Sequence, residues 1–120
     1  MFGDQISAAT AHHCVHHPSI VHTSSAGIAS VGGAVEQFVR AVAPELAPKR
    51  INVVSPGVID TPMFGNDAEA RGKMLAGATA KNLIPRAGTP EEVAAGIMFV
   101  VQNDFVTGTT IDVDGGWVHA

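Results

Sequence analysis

"INVVSPGVIDTPMF", from Ile51 to Phe64, decides how the rest of the chain is read. Ile51, Val53 and Val54 form a β-branched run of the kind that fills a buried strand. Ser55-Pro56-Gly57 breaks that run, yet Val58 and Ile59 resume it at once. A strand with such an end is suited to face a ligand. Gly lets main chain approach closely, and ligands of open α/β sheets sit beyond the C-terminal ends of strands. A Pro-Gly pair is also an ordinary turn, so the stretch needs support from its surroundings.

Upstream, Gly33–Ala47 predicts a helix with Val35, Phe38, Val39, Val42 and Leu46 as its apolar stripe. Glu36 and Arg40 stand where they can pair on the polar side. Pro44 loosens the last turn and Pro48 ends the helix. "SIVHTSS", Ser19–Ser25, predicts a strand. Residues 4–17, with Ile6, Ala9, His13 and His16 near helical spacing, predict a helix stopped by Pro18. Arg50–Ser55 is the second strand, and Pro56–Asn66 a loop.

Downstream, Asp67 is placed to cap a helix running to about Ala80. Thr89, Pro90 and Glu92 form a strong helix start: cap, first-turn proline and a carboxylate reaching back. Val93, Ala94, Ile97, Met98 and Val101 give the buried face of that helix. "GTTIDVDGG" is a third strand closed by two glycines. Strands alternating with helices predict an α/β fold: one domain over residues 1–120, a truncated Rossmann-like parallel sheet of about three strands flanked by helices.

Composition narrows the function. The 120 residues are 46% hydrophobic and 15% charged, a globular balance. A net charge of −4 argues against nucleic acid as a partner. No apolar run is long enough for a membrane span, and the N-terminus lacks the pattern of a secretory signal. One cysteine, Cys14, fits a reducing compartment, so the expected location is cytoplasmic.

Taken in order, "SIVHTSS", "GAVEQFVRAVAPELAPKRINVVSPGVIDTPMF", "IPRAGTPEEVAAGIMFV" and "TGTTIDVDGGW" resemble the C-terminal half of the short-chain dehydrogenase/reductase family. The resemblance runs from about residue 4 to the end. It implies an oxidoreductase that moves a hydride between NAD or NADP and a small-molecule alcohol or carbonyl. It also implies roles. Ser25, or its neighbour Ser24, matches the serine that holds the substrate oxygen. Pro56, Gly57, Val58 and Ile59 match the stretch lining the nicotinamide, with the Ile59 main chain toward the carboxamide. Thr61 matches a threonine near the cofactor's amide or phosphate region. Met63 to about Lys81 matches a mobile lid, and "VDGGW" the last strand with its subunit contact.

The chain departs from that family's pattern in what the chemistry needs most. The family uses a tyrosine hydroxyl as proton donor and a lysine four residues later. Counted back from Glu36 along the helix, those slots fall on Ile28 and Gly32; counted forward from Ser25, the tyrosine slot reaches Phe38. The connection is therefore shorter than the family's by about ten residues, and the chain contains no tyrosine at all. No T-G-x-x-x-G-x-G turn is present to cradle a pyrophosphate on a helix N-terminus. The expectation is a chain inactive by itself. The strand "SIVHT" would leave an open apolar edge, which predicts a homo-oligomer or a partner chain.

Two alternatives stand beside the oxidoreductase. One is a non-catalytic assembly module. The weaker is a metal-binding helix, because His12 and His16, like His13 and His17, are spaced as chelating pairs; a solvated helix end is the simpler explanation. His22 reads as a packing histidine, Cys14 as an inert thiol and Trp117 as a core or interface anchor. Asp60 and Asp114, beside turn residues, read as caps of main-chain N–H groups.

Overall fold

The computed structural model describes residues 13–14 and 26–117, with side chains over 30–117. Its elements are β1 (His13–Cys14), α1 (Ala26–Leu46), β2 (Val53–Pro56), a 3-10 turn at Pro62–Phe64, α2 (Ala68–Thr79), α3 (Pro90–Gln102) and β3 (Thr110–Val113). The strands form one parallel sheet in the order β1-β2-β3. The α/β class and the count of about three strands are as the sequence predicts.

β2 is the central strand. Val53 and Val54 are 1% and 3% exposed, so both faces of the strand are covered. That is why the segment lacks the apolar-polar alternation of a half-exposed strand. β2 aligns Val53 with Thr110 and Pro56 with Val113 of β3. On its other edge it aligns His13 and Cys14 with Val53 and Val54.

That last pairing corrects the helix expected over residues 4–17, since His13 and Cys14 are strand. Histidine at helical spacing is a weak local signal. The edge of a buried strand offers unpaired main-chain groups, and satisfying them outweighs propensity. The strand expected at Ser19–Ser25 lies outside the described residues.

α1 begins at Ala26, seven residues before the predicted Gly33, so the small-residue run joins the helix. Gly32 is buried there. Of the predicted stripe, only Val39 is fully buried, at 2% exposed, whereas Phe38 is 63% exposed. Pro44 lies inside the helix, which continues to Leu46. α2 starts as expected: the Asp67 side chain accepts from the Ala70 N–H at 2.7 Å. α3 has the full reciprocal cap, with Glu92 N–H donating to Thr89 Oγ1 and Thr89 N–H to Glu92 Oε2.

Two polar side chains lock α3 and β3 onto the start of β2. The Arg50 guanidinium donates to the carbonyls of Val100, Val106 and Val101 at 2.8, 2.9 and 3.1 Å. Val100 and Val101 lie in the last turn of α3, whose carbonyls a helix cannot satisfy internally, and Val106 lies in the loop beyond it. Asn52, 1% exposed, donates to Val106 O and accepts from Thr109 N–H. Among the described residues, no helix is long and apolar enough to cross a membrane.

Candidate functional site

Three segments meet beyond the C-terminal ends of β2 and β3. The first is 57–61, leaving β2. The second is 82–88, running from α2 to α3. The third is the turn 114–116 after β3. Gly57 N–H donates to Val113 O at 3.0 Å, continuing the β2–β3 ladder past the break. Asn82 Nδ2 donates to Asp114 O and Ile84 N–H to Gly115 O, which tie the second segment to the third. The turn is closed by Gly116 N–H donating to Asp114 Oδ1 at 2.7 Å, as the sequence predicts for Asp114.

The second segment also pairs with the first. Gly88 N–H donates to Val58 O at 2.9 Å, and Asp60 N–H donates to Gly88 O at 2.8 Å, a one-residue parallel bridge at Ile59. Main-chain groups of successive extended residues point to opposite sides. Val58 O and Asp60 N–H face Gly88, so the N–H and C=O of Ile59 face away from it. Ile59 is buried, at 6% exposed, and neither group has a partner among the described residues. Buried main-chain groups are nearly always paired. A donor and an acceptor side by side on one residue are complementary to a primary carboxamide.

Next to this edge, Thr61 is half-buried and precedes the 3-10 turn without a side-chain cap bond. Asp60 is not a main-chain cap. Its Oδ1 pairs with Arg71 Nε at 2.9 Å, and Arg71 Nη1 donates to Gly65 O, so the rim is fastened to the base of α2. Pro56, Gly57 and Val58 are buried behind the rim. A cavity of about 340 Å³ adjoins the bridged side, against Val58, Ile59, Ile84, Arg86 and the 112–116 segment.

Arg86 and Glu92 flank Gly88. Arg86 donates from Nη1 to Oε2 at 2.9 Å and from Nη2 to Oε1 at 2.6 Å. The Arg86 hydrogen bonds, then the Thr89 N–H, hold the Glu92 carboxyl well below its ordinary value, at about 2. The same fork raises Arg86.

Pro56, Gly57, Val58, Ile59 and Thr61 lie along the segment that ends and leaves β2, the first four buried and Thr61 half-buried. Ser24 and Ser25 lie outside the described residues, as do the side chains of His12, His13, Cys14, His16, His17 and His22. Among the described residues, no cluster of His, Cys, Asp and Glu is arranged to hold a metal. Sequence patterning missed Gly88, Arg86 and Arg71. Only the Thr89–Glu92 cap hinted that the α3 start is built with care.

A parallel sheet flanked by helices, with its tight turns gathered past the strand ends, defines a partial Rossmann-type fold. Residues 6–118 match the family model described as enoyl-(acyl carrier protein) reductase. The chain belongs to the short-chain dehydrogenase/reductase family. It is 44% identical over 89 residues to the short-chain dehydrogenase/reductase ATR9 of Stachybotrys chlorohalonatus, covering 74% of this chain and 35% of that protein. It is 34% identical over 113 residues to the short-chain reductase protein NovJ of Streptomyces niveus, covering 85% of this chain and 43% of the relative. A small-chain dehydrogenase solved in complex with NADPH superposes with a TM-score of 0.75 at 30% identity, over 91% of this chain and 51% of the other. The chain therefore spans about half or less of the length of these relatives.

Proposed function

We propose that this chain carries the nicotinamide-facing rim of an NAD(P)-linked oxidoreductase acting on an alcohol or carbonyl, in a reducing, cytoplasmic setting, and that by itself it does not turn over. The N–H and C=O of buried Ile59, without a partner among the described residues, carry this reading. They would take the carboxamide of NAD or NADP, with Thr61, whose side chain makes no cap bond, two residues further along the chain. Ser25, or Ser24, would hold the substrate oxygen. The chemistry supplied there by a bound nicotinamide is hydride exchange with the substrate carbon. The chain has no tyrosine for the accompanying proton and no glycine-rich turn for the pyrophosphate, and these would have to come from elsewhere. NADH and NADPH titration, followed by nicotinamide fluorescence, tests it. Saturable binding without carbonyl reduction is expected; absence of binding at millimolar cofactor overturns it.

A second reading, as an assembly module pairing with its own copy or a partner chain, is favoured by the apolar side chains left at the surface. Val31 and Phe38 on α1 are 65% and 63% exposed, and Phe105 is fully exposed. Val31 and Phe38 are seven residues apart and share one face of α1, and an exposed apolar helix face suits a contact surface. Size-exclusion at low concentration should show a species larger than one chain; a cooperative, freely soluble monomer refutes association.

A further inference from the structure

We infer that Glu92, forked by Arg86, is a positioning residue for the Ile59 main chain: its carboxylate gathers residues 86–89 so that Gly88 meets Val58 and Asp60 in one orientation. This deepens, and rests on, the reading of Ile59 as the carboxamide-facing residue.

Three donors converge on the one carboxylate: Arg86 Nη1, Arg86 Nη2 and the Thr89 N–H, at 2.9, 2.6 and 2.9 Å. The two donating residues, Arg86 and Thr89, bracket Gly88 in the chain. Arg86 also donates to Ala87 O at 3.0 Å, which closes the bracket. Gly88 itself spends both main-chain groups on the rim. There is no slack in its placement. A Cβ added to Gly88 would lie 2.8 Å from Ile59 Cδ1 and 3.5 Å from Glu92 Oε2. The space beside Gly88 is therefore bounded by the Ile59 side chain on one side and the Glu92 carboxylate on another.

Both charged side chains are about half exposed, at 55% and 43%. Such a pair adds little to global stability. A fork of two parallel bonds does, however, select one geometry. Its consequence is local: it holds the bridge, and the bridge determines which way Ile59 presents its N–H and C=O.

The test is amide hydrogen exchange by NMR on the full chain, for wild type, Glu92→Gln and Thr89→Ala. Gln keeps the size and an acceptor for the Thr89 N–H but loses the charged fork. Exchange at the Asp60 and Gly88 amides should accelerate about three- to tenfold in Glu92→Gln. The Val53 and Gly57 amides, bonded to Thr109 O and Val113 O, should not change. Thr89→Ala removes a cap acceptor and leaves the fork, so Asp60 should stay protected. Arg86→Gln breaks the fork from the other side and should reproduce Glu92→Gln if that variant folds poorly. Unchanged exchange at Asp60 and Gly88 in both fork variants, or an equal effect of Thr89→Ala, overturns the positioning role whatever the cofactor does. Titration with NADPH, read at the Ile59 amide, separates the two ideas. A saturable shift weakened in Glu92→Gln supports both. No shift in wild type sinks the carboxamide reading alone, and the exchange data still judge the positioning role.

Discussion

Gly57 and Asp114 touch through their main chains: a Cβ built on Gly57 would lie 2.6 Å from Asp114 Cα and 2.8 Å from its carbonyl oxygen. No rotamer relieves a contact with backbone, so the ends of β2 and β3 would have to separate. Gly57→Ala should cost about 1–3 kcal/mol, the usual range for overpacking. Urea unfolding should show it as a lower midpoint at unchanged slope.

Arg50 serves three carbonyls at the end of α3 and in the loop beyond it. Asp104, its ion-pair partner at 3.8 Å, is 98% exposed. The hydrogen bonds should therefore matter and the ion pair should not. Arg50→Ala is expected to lose about 2–3 kcal/mol, since charged donors and stranded carbonyls are both involved. Asp104→Asn should stay within about 0.5 kcal/mol of wild type. Arg50→Lys should recover only part of the loss, because an ammonium cannot span the same fork. Thermal melts of the three variants check the order.

Asn52 is buried with its donor on Val106 O and its acceptor on Thr109 N–H. Asn52→Ala leaves both partners without a bond in a dry place, a loss of about 1–3 kcal/mol. Asn52→Asp keeps the acceptor but turns an oxygen toward Val106 O. Its deficit should grow as pH rises through the carboxyl's titration, because the charged form is the worse fit. Denaturant curves at two pH values measure both effects.

The Glu92 carboxyl, at about 2, lies below its ordinary 4.5 because Arg86 and then the Thr89 N–H bond to the charged form. The folded chain therefore binds fewer protons there than the unfolded one. The contribution is full above 4.5 and is lost as pH falls toward 2. The stability gap between wild type and Glu92→Gln, small because the pair is half exposed, should be flat at neutral pH and close across that acid window. A gap that persists unchanged to the acid end contradicts the assignment. Carboxyl titration by NMR gives the same answer residue by residue.

Much of the fold was legible because it depends on neighbours in sequence. Thr89, Pro90 and Glu92 announce the α3 start because a cap acts within one turn. Asp67 does the same for α2. Val53 and Val54 read as a buried strand because a central parallel strand tolerates no polar face. The misreadings occurred where local signals are weak. Small residues before Gly33 gave no helical stripe, yet α1 includes them. His13 and Cys14 carried no strand pattern, yet they pair with β2.

By itself, the sequence determined the α/β class, the break at Ser55-Pro56-Gly57 and the lack of a tyrosine; these follow from residue type and short-range spacing. Only the tertiary structure decided that Gly88 bridges Ile59, that Arg50 closes the end of α3, and that Arg71 holds Asp60. Those contacts join segments far apart in the chain, and no local periodicity encodes them. They exist because folding brings unpaired main-chain groups and charges together, and each must find a partner once water is excluded.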